Sequence, residues 1–294
     1  MTLKKVSKIN WSEQEIFDTY YDIVKNKKHG RSILFGEKAE SNGVFEHSDL
    51  FKKIENKYNI FFQNKQSLNQ LEKDDEYTEQ EKAHLLKCYS IATKGLNTIK
   101  KSIKDNQNTF YRSKCTYCGI GEISSMDHFV PKNNYPEYAV HPYNLVLCCA
   151  TCNSKKGELF KEDGQLIFFN PYFDEEIKSL KLDFKYNKEK KVFDIEIELI
   201  DETYKKHIMR LDIINRYKNA AGDILDDLLD DLLQEHKEYR QEEIDDEIFF
   251  LFFKKNLQKK MRKYRIKRGE NSIKFLVYEA FSLIDTQEIY DLIG

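Results

Sequence analysis

Apolar residues recur at helical spacing through the first third of the chain. Ile16, Phe17, Tyr20, Ile23 and Val24 fall on one face behind Ser12 and Glu15, whose spacing fits a capping box, so a helix should start there. A loop holding Gly36 and Gly43 should follow. Leu50, Phe51, Ile54, Tyr58, Phe61 and Phe62 predict a second helix. Thr78 and Glu81 offer another capping box, ahead of Leu85, Tyr89, Ala92, Leu96, Ile99 and Ile103. Their steps of four and three predict one long helix with an apolar seam, facing the domain core or a second copy. From Lys114 to Gly157 the helical period is lost, and short strands, turns and cysteines are expected. Leu166 to Phe169, and then Phe173, read as extended. Alternation at Leu182, Phe184 and Tyr186 and again at Phe193, Ile195, Ile197 and Leu199 predicts a β-hairpin turning at Asn187–Lys191. Helical faces return at Ile224, Leu225, Leu228, Leu229, Leu232 and Leu233, and at Phe275, Leu276, Tyr278, Phe281 and Leu283. The fold class expected is α+β: a helical region at 1–113, a strand-and-cysteine region with the hairpin at 114–200, and a second helical region at 201–294.

Composition supports a folded core, since 40% of the 294 residues are apolar and 20 Phe and 18 Tyr are among them. Charged residues make up 33%, yet the net charge is -2, so charge has to be read locally. Residues 223–247 carry 12 acidic and 2 basic side chains, whereas 252–268 carry 9 basic and no acidic ones. Two solvated helix faces would explain this. So would a basic run that touches phosphate, or an acidic run that covers it. In the last case, changing Asp226, Asp227, Asp230 and Asp231 to Asn should raise nucleic-acid binding. Residues 94–114 add 6 basic side chains against Asp105. No run approaches the ~20 apolar residues that span a bilayer. The basic start of the chain lacks a following apolar core, so no signal peptide is expected. A cytoplasmic protein without membrane attachment is therefore expected, in a compartment that keeps thiols reduced.

Six cysteines then read as metal ligands and buried thiols. Cys115-x-x-Cys118 and Cys149-x-x-Cys152 form two knuckles whose four thiolates suit a tetrahedral structural zinc. Cys148 and Cys88 fall outside that spacing and should be buried thiols. Between the knuckles lie Asp127-His128-Phe129-Val130-Pro131-Lys132 and then His141-Pro142-Tyr143-Asn144, and Asn153-Ser154-Lys155-Lys156-Gly157 follows Cys152 directly. His141, beside Pro142, is expected to be a loop residue.

This order of knuckles, Asp-His pair, central Asn and Cys-x-x-Cys-Asn-x-x-Lys ending resembles the HNH (ββα-metal) nuclease family in its four-cysteine, zinc-bearing form. The resemblance spans under a fifth of the chain. It implies a ββα motif and phosphodiester hydrolysis, an endonuclease activity directed in the first place at DNA. The residue types suit that chemistry. Asp127 and Asn153 offer oxygen ligands to a catalytic Mg²⁺ or Mn²⁺, which would offset charge on the phosphate. His128 suits a general base. By resemblance, Asn144 braces the loop and orients His128. Lys132, Lys155 and Lys156 are candidate phosphate contacts. Adjacent Asp127 and His128 would face opposite ways in a regular strand, so a twist or loop is required there. The Asp127–Lys132 stretch, Tyr135-Pro136-Glu137-Tyr138, Asn170-Pro171-Tyr172-Phe173 and Leu211-Asp212-Ile213-Ile214-Asn215-Arg216 also look like HNH proteins of bacterial anti-phage defence islands. Some of those act beside an ATPase subunit, as in Septu-type systems, and a homo-oligomer is equally open. The alternative is a non-catalytic zinc-stapled module that binds nucleic acid or protein. It would need the cysteines but none of Asp127, His128 and Asn153.

Overall fold

Ser12 opens the first helix as its spacing with Glu15 requires. The Ser12 N–H donates to the Glu15 carboxylate at 2.7 Å, and the Glu15 N–H donates back to the Ser12 hydroxyl at 3.2 Å. Helix α1 (Glu13–Lys25) buries Ile16, Phe17, Tyr20, Ile23 and Val24. This computed structural model describes residues 6–25, 47–109, 112–243 and 245–293. The loop expected around Gly36 and Gly43 lies outside the described residues. The fold is α+β, and the chain divides into two compact units.

The first unit comprises Lys5–Lys114 and Glu122–Asp174. Helix α2 (Asp49–Gln63) meets α1 through Phe17, whose ring lies 5.0 Å from Phe51 and edge-on to Tyr58 at 5.8 Å. The long helix expected after Thr78 is instead two: α3 (Glu79–Ser90) and α4 (Lys94–Asp105). Ile91 turns extended at φ -101°, ψ 119°. Thr93, extended at φ -106°, ψ 162°, accepts the Leu96 N–H on its hydroxyl and starts a new helix. Two β-branched residues within three positions favour extended backbone, and a threonine hydroxyl offers the free N–H group an alternative partner. The seam survives the break at Leu85, Leu96, Ile99 and Ile103, which are buried, whereas Ala92 is exposed.

After α4 come strands β1 (Ser125–His128) and β2 (Leu145–Cys148), antiparallel with Asp127 opposite Val146 and His128 opposite Leu145. Helix α5 (Ala150–Lys156) follows and completes the ββα motif. Gly157 ends it in the left-handed region at φ 56°, with its N–H donated to the Asn153 carbonyl. Strands β3 (Lys161–Glu162) and β4 (Gln165–Leu166) form a tight hairpin. The extended run expected to reach Phe169 keeps its ladder only to Leu166. Ile167, Phe168 and Phe169 are buried without joining a strand.

The second unit comprises the Cys115–Gly121 loop and Glu175–Gly294. Strands β5 (Leu180–Asn187) and β6 (Val192–Leu199) make the expected hairpin, in register from Leu180–Leu199 to Asn187–Val192. Helices α6 (Lys205–Arg210), α7 (Ile213–Gln241), α8 (Asp246–Arg268), α9 (Ile273–Ser282) and α10 (Thr286–Ile293) follow. Leu225, Leu228 and Leu232 form the buried stripe of α7, while Asp226, Asp227, Asp230 and Asp231 are exposed. Among the described residues one ion pair joins the acidic run of α7 to the basic run of α8, Lys260 to Asp231 at 3.6 Å. The exposed aspartates are those of a solvated helix face. No helix among the described residues is long and apolar enough to cross a membrane.

Candidate active site

Each cysteine knuckle is formed by local backbone geometry. Gly119, at φ 66°, donates its N–H to the Cys115 carbonyl at 2.7 Å and closes the first turn. Cys149 caps α5, its sulfur accepting the Cys152 N–H at 3.4 Å. Cys115, Cys118, Cys149 and Cys152 are buried, and their sulfur atoms all lie within 4.8 Å of one another. A tetrahedral zinc with bonds of ~2.3 Å spaces its thiolates by about 3.8 Å, so the donor set fits that ion. Cys148 and Cys88 are buried apart from this set, as expected. Burial pushes the Cys148 thiol up to about 12.

The loop between β1 and β2 is held by Asn144. Its side-chain oxygen accepts the Val130 N–H at 2.7 Å, and its amide donates to the carbonyls of Val130 (2.9 Å) and Tyr138 (3.0 Å). The Asn144 carbonyl accepts the Phe129 N–H at 2.8 Å, so one residue fastens both ends of the loop and its middle. This places the Ala139 carbonyl 2.9 Å from Nε2 of His128. A carbonyl can only accept, so Nε2 carries the hydrogen and Nδ1 keeps a free lone pair. Asn144 therefore acts on His128 at one remove, through the loop. His128 is 8% exposed, and burial pushes its pKa down to about 3. The Ala139 bond opposes that fall, while the Lys132, Lys156 and Lys100 cations add to it. The imidazole is neutral at neutral pH, the form that accepts a proton.

Strand β1 ends at His128, and Asp127 and His128 both line one open cleft of about 500 Å³. Asn153, Lys132, Tyr89 and Glu158 line it too. The Asp127 carboxylate and the Asn153 amide are oxygen donors of the kind a hard divalent cation takes, with open space for its waters. Lys156 does not sit where the sequence suggested. Its side chain is wholly buried, and its ammonium donates to the His128 carbonyl at 2.9 Å and pairs with Asp127 at 3.2 Å. Expected as a phosphate contact, it is instead a buried cation behind the cleft. Lys155, one position earlier on α5, is exposed and does not line the cleft. His141 is a buried loop residue packed against Phe61 and Tyr58, at 4.1 and 4.7 Å between rings. Tyr89, from α3, reaches this site without any local spacing to announce it, by contacts to Met126 and Lys132 across about forty positions of sequence. Lys100, from α4, packs on the Tyr89 ring at 4.6 Å.

Residues 115–159 match the family described as HNH endonuclease. The match covers the knuckles, α5 and the named cleft residues other than Tyr89. The chain is also 36% identical over 98 residues to protein ea31 of Escherichia phage lambda, which covers 33% of each chain. It is 33% identical over 79 residues to Septu protein PtuB of Bacillus thuringiensis, covering 25% of this chain and 30% of that one. The chain thus spans about a third of the length of the curated relatives it matches. No solved structure matches significantly. The HNH match and the Septu likeness together support a nuclease.

Proposed function

We propose that the chain is a metal-dependent HNH endonuclease that hydrolyses phosphodiester bonds of DNA. One observation carries the reading. The free Nδ1 of a neutral His128 shares a cleft with the Asp127 carboxylate and the Asn153 amide, inside the HNH-matched segment. His128 takes a proton from the attacking water at Nδ1, while its Nε2–H stays bonded to the Ala139 carbonyl. Asn144 fixes that carbonyl through the loop. Asp127 and Asn153 hold Mg²⁺ or Mn²⁺, which when bound offsets charge on the phosphate and the leaving oxygen. Lys132, at the cleft, and Lys155, on the exposed side of α5, contact the nucleic-acid backbone. Zinc at the four cysteines is structural, fastening a motif too small to hold itself together. The likeness to the Septu protein extends the proposal to an anti-phage effector in the cytoplasm, controlled by an ATPase subunit.

Nicking of supercoiled plasmid in Mg²⁺ or Mn²⁺ tests the activity. Asp127→Ala should shift the metal titration to higher concentration while leaving about one zinc per chain by elemental analysis. An unchanged titration would remove Asp127 from the metal site. A metal-replete wild-type protein that binds DNA but never cuts it would favour the non-catalytic module.

A further inference from the structure

The ring of Tyr89 organises the wall of the cleft beside His128. Its hydroxyl donates to the Met126 carbonyl in β1 at 3.2 Å, which ties α3 to the strand that carries Asp127. Its ring meets the His128 imidazole edge-on, 4.3 Å between centroids at 72°. Two lysines approach the same ring, Lys100 from α4 at 4.6 Å and Lys132 from the β1–β2 loop at 5.0 Å. Neither ammonium has a carboxylate within ion-pair distance among the described residues. The nearby Asp127 is already paired with Lys156. Two like charges held against one aromatic ring repel each other, and the cation–π contacts offset part of that repulsion. The Lys100 ammonium is disfavoured by burial first and by Lys132 second. Such a pair, half sunk and without counter-ions, is arranged for an anion that arrives from outside.

We propose that Lys100 and Lys132, held on the Tyr89 ring, form a clamp for a DNA phosphate next to the one attacked at His128. The proposal deepens the nuclease reading and rests on it. It adds a residue of the N-terminal helical segment, outside the HNH-matched stretch, to the substrate site. The anion is a backbone phosphate because Lys132 and Tyr89 line the cleft with Asp127, His128 and Asn153, and Lys100 is held at its edge on the Tyr89 ring. Tyr89 is a positioning residue: it sets both lysines and the imidazole from one ring.

The test is binding of a labelled DNA duplex by the full-length His128→Ala protein across a salt series, with Lys100→Gln, Lys100→Arg and Lys101→Gln added in turn. Lys101 is the exposed neighbour and reports general charge. Removing one phosphate contact lowers the slope of log K against log salt by about 0.9. Lys100→Gln should show that loss, Lys100→Arg should restore most of it, and Lys101→Gln should leave the slope near its starting value. An unchanged slope in Lys100→Gln, or equal losses in Lys100→Gln and Lys101→Gln, overturns the clamp. So does an absence of duplex binding at every salt concentration. The nuclease reading fails separately, if wild-type protein binds the duplex but does not cut it.

Discussion

Lys156 shows how far a residue's role can depart from its type. A lysine after a Cys-x-x-Cys-Asn run reads as a surface cation, but α5 turns it inward onto Asp127 and the His128 carbonyl. Helical phase decides this: Asn153 and Lys156 lie three positions apart, while Lys155 faces solvent. Removing one partner of a buried pair leaves an unpaired charge, at a cost of roughly 3–5 kcal/mol. Lys156→Met should therefore lower the urea midpoint clearly, and Lys155→Met should barely move it. Equal effects would show that the pair contributes nothing. Glu137 supplies a second test at this scale. It is 1% exposed, and neither carboxylate oxygen is hydrogen-bonded to another residue. Burial, with Asp74 nearby, raises its pKa from an ordinary 4.5 to about 7 against the pull of its own backbone N–H, Lys57 and Lys53. Between those values the folded chain holds a proton that the unfolded chain has lost, so stability falls as pH rises through that window. The full span is on the order of 3 kcal/mol. Glu137→Gln should flatten the stability profile between pH 5 and 8, measured by thermal melting. A mutant profile as steep as wild type would assign the pH dependence elsewhere.

At the scale of elements, capping signals and alternation were legible and the helix break was not. Ser12–Glu15 and Thr78–Glu81 each made the box their spacing announced, and the β5–β6 hairpin formed in the register its alternation implies. The seam from Leu85 to Ile103 carried the right period across a position where the chain leaves the helix. Periodicity records which residues face the core, and two helices can share a face as well as one. Gly95, just after the break, shows why the second helix needs its own start. A Cβ there would lie 2.9 Å from Ile23 Cγ1 and 3.1 Å from the Ile23 backbone nitrogen. Gly95→Ala should push α4 off α1 and destabilise by about 1–3 kcal/mol, as overpacking does. Chemical denaturation measures it, and a neutral result would mean that α1 yields freely. The cleft was half legible for a related reason. Asp127, His128 and Asn153 lie in one motif, whereas Tyr89 and Lys100 arrive from α3 and α4 by tertiary packing that no local pattern encodes.

At the scale of the whole molecule, charge is segregated and balanced. Among the described residues, one ion pair, Lys260–Asp231, joins the acidic run of α7 to the basic run of α8, and Asp226, Asp227, Asp230 and Asp231 are exposed. Changing Asp226, Asp227, Asp230 and Asp231 to Asn should leave the salt slope of DNA binding where it was. A steeper slope would revive the acidic run as a shield. The HNH segment itself carries as many acidic as basic residues from Cys115 to Gly157, so affinity for a polyanion has to come from its surroundings. The central claim is that His128, turned by Ala139 and Asn144, is the base of a metal-dependent nuclease. Single-turnover cleavage of plasmid DNA in Mg²⁺ by wild-type and His128→Ala protein, with both shown to be folded, tests it most directly. Wild type should cut, and the variant should lose at least about 10²-fold in rate, as removal of a general base does. Equal rates for the two proteins would contradict the assignment.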